Sequence, residues 1–235
     1  SDLLGEASKN LSETLKKDSP TEITQASVTD STPRTSIHPS LAMNATEEVA
    51  KKIASDLIKK NPTGPSLLDG VPRIVATNPD TLINDALAAG LAEFDYASFK
   101  PRVTTAEFKI ITRNEKSDLE KYFREFKDAI KAGALLAPRF SASLPASQFE
   151  EAASAIKKTT DRLYTIEVPS RVAPWHAEEV SILRAQENIL RALAATFEDP
   201  LRAFAAMQGL TQANEELQTL QVKILDFITK ENLSI

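Results

Sequence analysis

The aromatic residues of this 235-residue chain are confined to its later part. All fourteen of them (10 Phe, 3 Tyr and 1 Trp) lie between Phe94 and Phe227, and none occurs in the first 93 positions. Aromatic side chains supply the largest buried area per residue, so a packed core has to be built mainly from this later part. The sequence therefore predicts a domain whose core spans residues 78–235.

The beginning of the chain has the opposite character. Residues 18–43, DSPTEITQASVTDSTPRTSIHPSLAM, are rich in Ser, Thr and Pro and hold only isolated small apolar side chains. Such a segment cannot bury enough surface to offset the entropy of ordering it, about 1–2 kcal/mol per residue for the backbone alone. We predict a disordered leader or stalk over residues 1–45, followed by an α-helical domain over residues 46–235.

Apolar residues in the predicted domain recur at the three- and four-residue spacing of amphipathic helices. The link Glu198-Asp199-Pro200 between the last two stripes is so short that antiparallel packing is expected, with Asp199 capping the final helix. The fold class is therefore mainly α, an antiparallel bundle of about five to six helices. The predicted helices cover residues 46–60, 78–94, 117–133, 145–163, 174–197 and 200–230.

Strand signals are limited to two short segments. Residues 105–112 (TAEFKIIT) and 164–168 (YTIEV) alternate in part between apolar and polar side chains, and they leave open a small two-stranded ribbon. Residues 66–77 (SLLDGVPRIVAT) are interpreted as an irregular connection. The stripe of the helix over residues 174–197 is expected to be buried up to Phe197.

Composition and motifs exclude several classes of function. The net charge of −5 and the pI of about 5.3 disfavour a general affinity for nucleic acids or anionic lipids. The chain has no Cys, which excludes disulfides, thiol nucleophiles, zinc fingers and iron–sulfur clusters. No phosphate-binding glycine loop, nucleophile elbow or carboxylate cluster occurs in the sequence, so no cofactor and no metal is predicted.

The segment VPSRVAPWHAEEVSILRAQ holds the residues that most resemble a site. His176 and Glu179 share one helical face, where they could ligate zinc or act as a base and its orienting partner. Both uses need further ligands or a nucleophile, and the other histidine, His38, lies in the predicted leader. A metal-dependent enzyme centred on His176, Glu179 and Glu187 is therefore the least favoured reading.

A structural role explains the same segment. Pro174 starts a helix, the acids after it complement the positive helix end, and Trp175 anchors that end on the bundle. Gln186 lies inside the apolar stripe, where it is either a satisfied core amide, with Tyr122 and Tyr164 as suggested partners, or part of a partner surface. We predict no catalytic residue. The candidate binding residues are Trp175, His176, Glu179 and Gln186.

The stretch VPSRVAPWHAEEVSILRAQENILRALAATFEDPLRAFAAM resembles uncharacterised helical proteins of ultra-small candidate-phylum bacteria that are predicted to be exported. The shared features are Val168-Pro169, Trp175 and His176 at a helix start, and Asp199-Pro200 before an Ala-rich helix, within residues 165–230. The resemblance implies a location outside the cytoplasm. It implies no activity, because that family has none assigned.

Together these observations favour a non-enzymatic, extracytoplasmic domain, periplasmic or at the cell surface. We expect it to act as an interaction or assembly module of a cell-surface or secretion/pilus-type apparatus, with a protein partner that the sequence does not identify. The chain begins with Ser rather than Met, and the sequence leaves open whether a signal or membrane tether lies upstream of Ser1. The alternative is a cytosolic helical adaptor or oligomeric scaffold, and the oligomeric state stays open.

Overall fold

The computed structural model describes residues 44–68, 71–73, 79–92, 94–134 and 144–235. Within these ranges the chain is mainly α-helical, which confirms the predicted fold class. Of the predicted leader, residues 1–43 lie outside the described residues. The helices are α1 (Ala45–Lys60), α2 (Pro79–Ala92), α3 (Tyr96–Phe99), α4 (Lys116–Ala134), α5 (Ala146–Leu163), α6 (Ala173–Ala194) and α7 (Pro200–Lys230).

A two-stranded parallel sheet confirms the suggested pairing of the two alternating segments. Strand β3 (Lys109–Ile111) lies beside β4 (Glu167–Pro169), with Ile110 opposite Val168. The strands are shorter than the segments suggested, because residues 105–107 form a turn of 3-10 helix before β3 begins.

A second pair of strands corrects the expectation of an irregular connection over residues 66–77. Strand β1 (Ser66–Leu68) pairs in antiparallel fashion with β2 (Val71–Arg73). Each strand has only three residues, which is too few for alternation of apolar and polar side chains to be recognised in the sequence.

Helix α6 is the central element of the bundle. Buried residues make up fourteen of its 22 positions and occur on every side of the helix. A helix with buried residues on every side has to be covered on every side, and here α5 and α7 provide most of the cover. The 3-10 helix, α3 and β4 contact it as well.

Helices α6 and α7 run antiparallel, as predicted. At the start of α6, Trp175 packs on Phe227 near the end of α7, with their ring centroids 5.0 Å apart. Further along α6, Gln186 Nε2 donates to Asn214 Oδ1 at 3.0 Å, closer to the start of α7. The turn between the two helices begins at Ala195, so Phe197 lies outside α6 and is 94 % exposed. Its predicted burial is therefore wrong.

The core consists of two clusters along the bundle. One lies around Phe99, Ile189 and Leu190, and it includes Ala45 of α1. The other lies around Phe108 and Val168 and is built from α4, α5, α6 and the end of α7. Ile156 of α5 packs against both clusters and links them.

The carboxylate of Asp199 caps two helices at once. It caps α7 as predicted, because Oδ1 accepts a hydrogen bond from the backbone N–H of Arg202 at 3.3 Å. The same carboxylate accepts from the N–H groups of Ala45 and Thr46 at 2.7 and 3.0 Å, and from the Thr46 hydroxyl at 2.8 Å. The buried carboxylate therefore lies at the positive ends of both α1 and α7. Its hydrogen bonds connect two segments that are 154 residues apart in the chain.

We expect Asp199→Ala to lower the free energy of unfolding by about 2–3 kcal/mol, because the donors of two helix ends lose a charged acceptor. Urea denaturation followed by circular dichroism measures the change. Asp226→Ala, at an exposed position on α7, is the matched control and should cost less than about 0.5 kcal/mol. Equal costs for the two variants would contradict the double cap.

Candidate functional site

His176 lies in the first turn of α6 with both ring nitrogens engaged. Nε2 is 3.2 Å from the backbone oxygen of Leu163, and Nδ1 is 3.0 Å from the hydroxyl of Tyr122 on α4. A carbonyl oxygen can only accept, so Nε2 carries the proton and donates it to Leu163. Nδ1 of the neutral ring then accepts from the Tyr122 hydroxyl. His176 is therefore a fully paired core residue.

Aromatic rings enclose the imidazole. Phe108 meets it edge-on with centroids 4.6 Å apart, and the rings of Tyr122 and Phe126 lie 5.7 and 6.2 Å away. The side chain is 1 % exposed, and this burial lowers the pKa of His176 to about 4 despite the hydrogen bond to Leu163. The imidazole is neutral at physiological pH.

Glu179 follows one turn later on α6 and is 2 % exposed. Within the described residues its Oε2 atom has no hydrogen-bond partner. Burial raises the pKa of Glu179 to about 7, because the charged carboxylate loses its contact with water. Burial raises the pKa of the Tyr122 hydroxyl, and the negative charge of Glu179 raises it further. Glu179, Tyr122 and His176 therefore form one buried polar cluster.

Trp175 and Gln186 take structural positions in the same helix. Trp175 is half-buried and anchors the start of α6 through its contact with Phe227. Gln186 is 8 % exposed and is paired with Asn214 rather than with the suggested tyrosines. That suggestion is wrong because Tyr122 is already bonded to His176 and Tyr164 donates to Glu107.

The structure brings Trp175, His176 and Glu179 together at one end of α6. Gln186 lies ten residues beyond His176, about 15 Å along the helix. Tyr122 is the member of the cluster that sequence reasoning missed as a partner of His176. It lies 54 residues away in the chain, and no local pattern signals the contact.

Glu187 and Glu178 do not join the cluster. Glu187 accepts from Arg191 at 3.1 Å, and Glu178 is bonded to Lys100 at 2.6 Å. Among the described residues, no three or more His, Asp or Glu side chains are grouped closely enough to hold a metal ion. Of the helices in those residues, none combines the length and apolar character of a membrane-spanning segment.

A cavity of about 300 Å³ lies between α1 and α2. Val49, Gly90 and Phe94 form part of its apolar lining, and Lys51 lies at its polar side. Lys51 is already paired with Glu47 and Glu48 on its own helix. The candidate residues predicted from the sequence do not line this cavity.

A row of exposed side chains runs along the outer side of α7. At 3.6 residues per turn its members lie within about 60° of one another around the helix axis. Its four large apolar members are 46, 44, 59 and 61 % exposed, in the order Phe204, Met207, Val222, Leu225. We call this row the α7 face, and it consists of Phe204, Met207, Thr211, Gln218, Val222 and Leu225.

The α7 face is distinct from the side of α7 that joins the core. Leu220 and Ile224 are buried, whereas Val222 and Leu225 next to them are exposed. The buried stripe is recognisable in the sequence, whereas this second stripe was not predicted. The sequence does carry a signal for it. An amphipathic helix has polar residues on its outer side, whereas α7 has apolar residues there at one angular position.

Comparisons of this chain with protein-family models, with curated proteins and with solved structures found no match. The resemblance of residues 165–230 to exported helical proteins of candidate-phylum bacteria therefore stays a prediction.

Glu179 and His176 affect stability in opposite pH ranges. Because the pKa of Glu179 is raised from 4.5 to about 7, the stability it contributes is present below pH 4.5 and is lost as the pH rises through 7. Because the pKa of His176 is lowered from 6.5 to about 4, its contribution is present above pH 6.5 and is lost as the pH falls through 4.

We expect Glu179→Gln to gain stability relative to the wild type as the pH rises from 4 to 8. The gain amounts to about 3 kcal/mol, at 1.36 kcal/mol for each pKa unit between 4.5 and about 7. Unfolding free energies measured across this pH range test it. Glu151→Gln, at an exposed position of α5, should keep the wild-type profile, and a parallel profile for Glu179→Gln would be a refutation.

We expect Tyr122→Phe to lower the free energy of unfolding by about 1–2 kcal/mol, because Nδ1 of His176 stays buried without its donor. Chemical denaturation measures the loss, and nitrogen NMR of the imidazole should show the wild-type proton on Nε2. Tyr164→Phe is the control, because its hydroxyl bonds to the exposed Glu107 and its loss should cost less. A wild-type imidazole protonated on Nδ1 would disprove the assigned hydrogen bonds.

Proposed function

We propose that this chain is a non-enzymatic helical-bundle domain that acts as an interaction or assembly module and binds its partner through the α7 face. The observation that carries the proposal is that four large apolar side chains on one side of the longest helix are 44–61 % exposed. Exposed apolar side chains that share one side of a helix favour contact with a partner, because covering them releases about 25 cal/mol for each Å² of apolar surface.

Contacts on the opposite side and at both ends of α7 hold this face in a fixed position. The opposite side of the helix packs against α6 and α3, and smaller contacts reach α1 and α2. Both ends are fixed as well, by the Asp199 cap and by the ion pair between Arg171 and Glu231, with nitrogen and oxygen 2.7 Å apart. A preorganised helix loses little freedom when it binds.

The buried cluster around His176 supports an enzyme less well. Its two ring nitrogens are occupied by Tyr122 and Leu163, and the side chain is 1 % exposed. A base or a metal ligand needs a free nitrogen within reach of its substrate or ion. The candidate binding residues Trp175 and Gln186 are likewise engaged with α7.

The proposed location is extracytoplasmic, in a cell-surface or secretion/pilus-type apparatus. Its support comes from the Ser/Thr/Pro-rich segment before α1, from the absence of Cys and from the resemblance of residues 165–230. The alternative is a cytosolic adaptor or scaffold that uses the same α7 face. Location rather than surface chemistry distinguishes the two.

The α7 face should form photo-crosslinks in cells that make the full-length protein. We expect a photoreactive amino acid at Gln218 to yield adducts, and one at Lys158, an exposed position on α5, to yield few. The double variant Phe204→Glu/Leu225→Glu should remove the Gln218 adducts. A lack of adducts at Gln218, or equal yields at both positions, would contradict the proposed interaction surface.

Protease treatment of cells with an intact cytoplasmic membrane tests the location separately. Digestion of the domain is expected for an extracytoplasmic protein. Protection until the membrane is lysed would contradict the proposed location and favour the cytosolic adaptor, whatever the crosslinking result.

A further inference from the structure

The α7 face has the same pattern in both directions along the helix. Phe204 and Met207 lie three residues apart at one end, and Val222 and Leu225 lie three residues apart at the other. Thr211 and Gln218 are placed symmetrically between the two pairs and are both exposed. In one antiparallel register, Phe204 of one copy therefore faces Leu225 of another while Met207 faces Val222.

We infer that the partner of the α7 face is the α7 face of a second copy of this chain, bound antiparallel in a twofold dimer. The inference rests on the proposed function of this face as an interaction surface and names its occupant. A twofold interface must be self-complementary, because each copy offers the same patch to the other. The palindromic spacing meets that requirement: apolar pairs meet apolar pairs, and Thr211 meets Gln218.

Charge favours the antiparallel direction over the parallel one. Asp226 lies beside the α7 face and is exposed. In a parallel pair the two Asp226 side chains would lie at the same level along the interface, where their like charges repel each other. In the antiparallel register Asp226 lies opposite Ala203, and the two aspartates are separated by most of the helix. Antiparallel helix dipoles also attract each other.

The size of the surface fits a weak dimer. Helix α7 has 31 residues and is therefore about 46 Å long and about 10–12 Å wide with its side chains. Covering its outer side removes on the order of 600 Å² from each copy, which is at the lower limit of specific interfaces. We therefore expect dimerisation that depends on concentration in the micromolar range.

In this antiparallel register the Glu215 side chains of the two copies lie close enough to repel each other. Glu215 is exposed and lies next to the midpoint of the face, so the two Glu215 side chains approach each other across the twofold axis. Their repulsion weakens the dimer and is screened by salt. Glu215→Gln should therefore tighten the dimer about twofold at low ionic strength.

Cysteine crosslinking of the full chain tests the register, because the chain has no Cys of its own. The variants Thr211→Cys and Gln218→Cys are each oxidised alone and then as a mixture. We expect disulfide-linked dimers in the mixture, because the two positions face each other. Each variant alone should stay unlinked, since identical positions are offset by seven residues, about 10 Å, beyond the reach of a disulfide. Efficient linking of either variant alone would overturn the antiparallel register.

Sedimentation equilibrium measures the dimer itself. We expect Phe204→Glu to raise the dissociation constant at least about tenfold, because a charge would be buried in the interface. Phe197→Glu introduces the same change at a more exposed Phe outside the face and should leave the constant unchanged. Thermal melts confirm that both variants are folded. A dimer that Phe197→Glu breaks and Phe204→Glu spares would overturn the inference.

The two proposals fail differently. A chain that is monomeric at every concentration and forms no disulfide in the mixture overturns the dimer, even if the Gln218 photoadducts contain another protein. In that case the interaction surface stands and only its occupant is wrong. If Gln218 forms no adduct either, both proposals fall.

Discussion

The burial of α6 on all sides is the constraint on which the bundle depends. No single neighbour can cover a helix whose buried residues point in every direction, so the chain has to bring elements from far before and after it. Helices α5 and α7 provide most of the cover, α4 reaches it at His176, and α3, the 3-10 helix and β4 contact it as well. The two core clusters are the two ends of this one arrangement, joined by Ile156.

Enclosure of α6 also determines the state of its polar side chains. His176 and Gln186 each find partners on neighbouring helices, so their burial adds specificity at little electrostatic cost. Oε2 of Glu179 finds no donor within the described residues, and the side chain is protonated more readily than an exposed glutamate, because burial raises its pKa. The segment that first suggested a site therefore lies inside the bundle. The exposed apolar side chains lie on the outer side of α7.

Local patterns were sufficient for the six long helices, but not for the short helix α3 or for the contacts between elements. Apolar periodicity predicts the long helices, and Asp199-Pro200 predicts the start of α7, because both signals lie within a few adjacent residues. The strands β1 and β2 are too short to show a period, and Phe197 was misassigned because α6 ends three residues before it. The link from Tyr122 to His176, and the second role of Asp199 at α1, are tertiary contacts that no spacing in the chain encodes.

The double cap of Asp199 has a mechanical consequence. The chain that precedes α1 enters the described domain at Asn44, whose side-chain amide donates to the backbone oxygen of Glu198. Ala45 and Thr46 bind the adjacent Asp199. Tension applied through the preceding segment would thus be received at the turn between the two longest helices, not by the free end of a peripheral one. Force on the chain before Asn44 would therefore be shared by several hydrogen bonds at the turn where α7 begins.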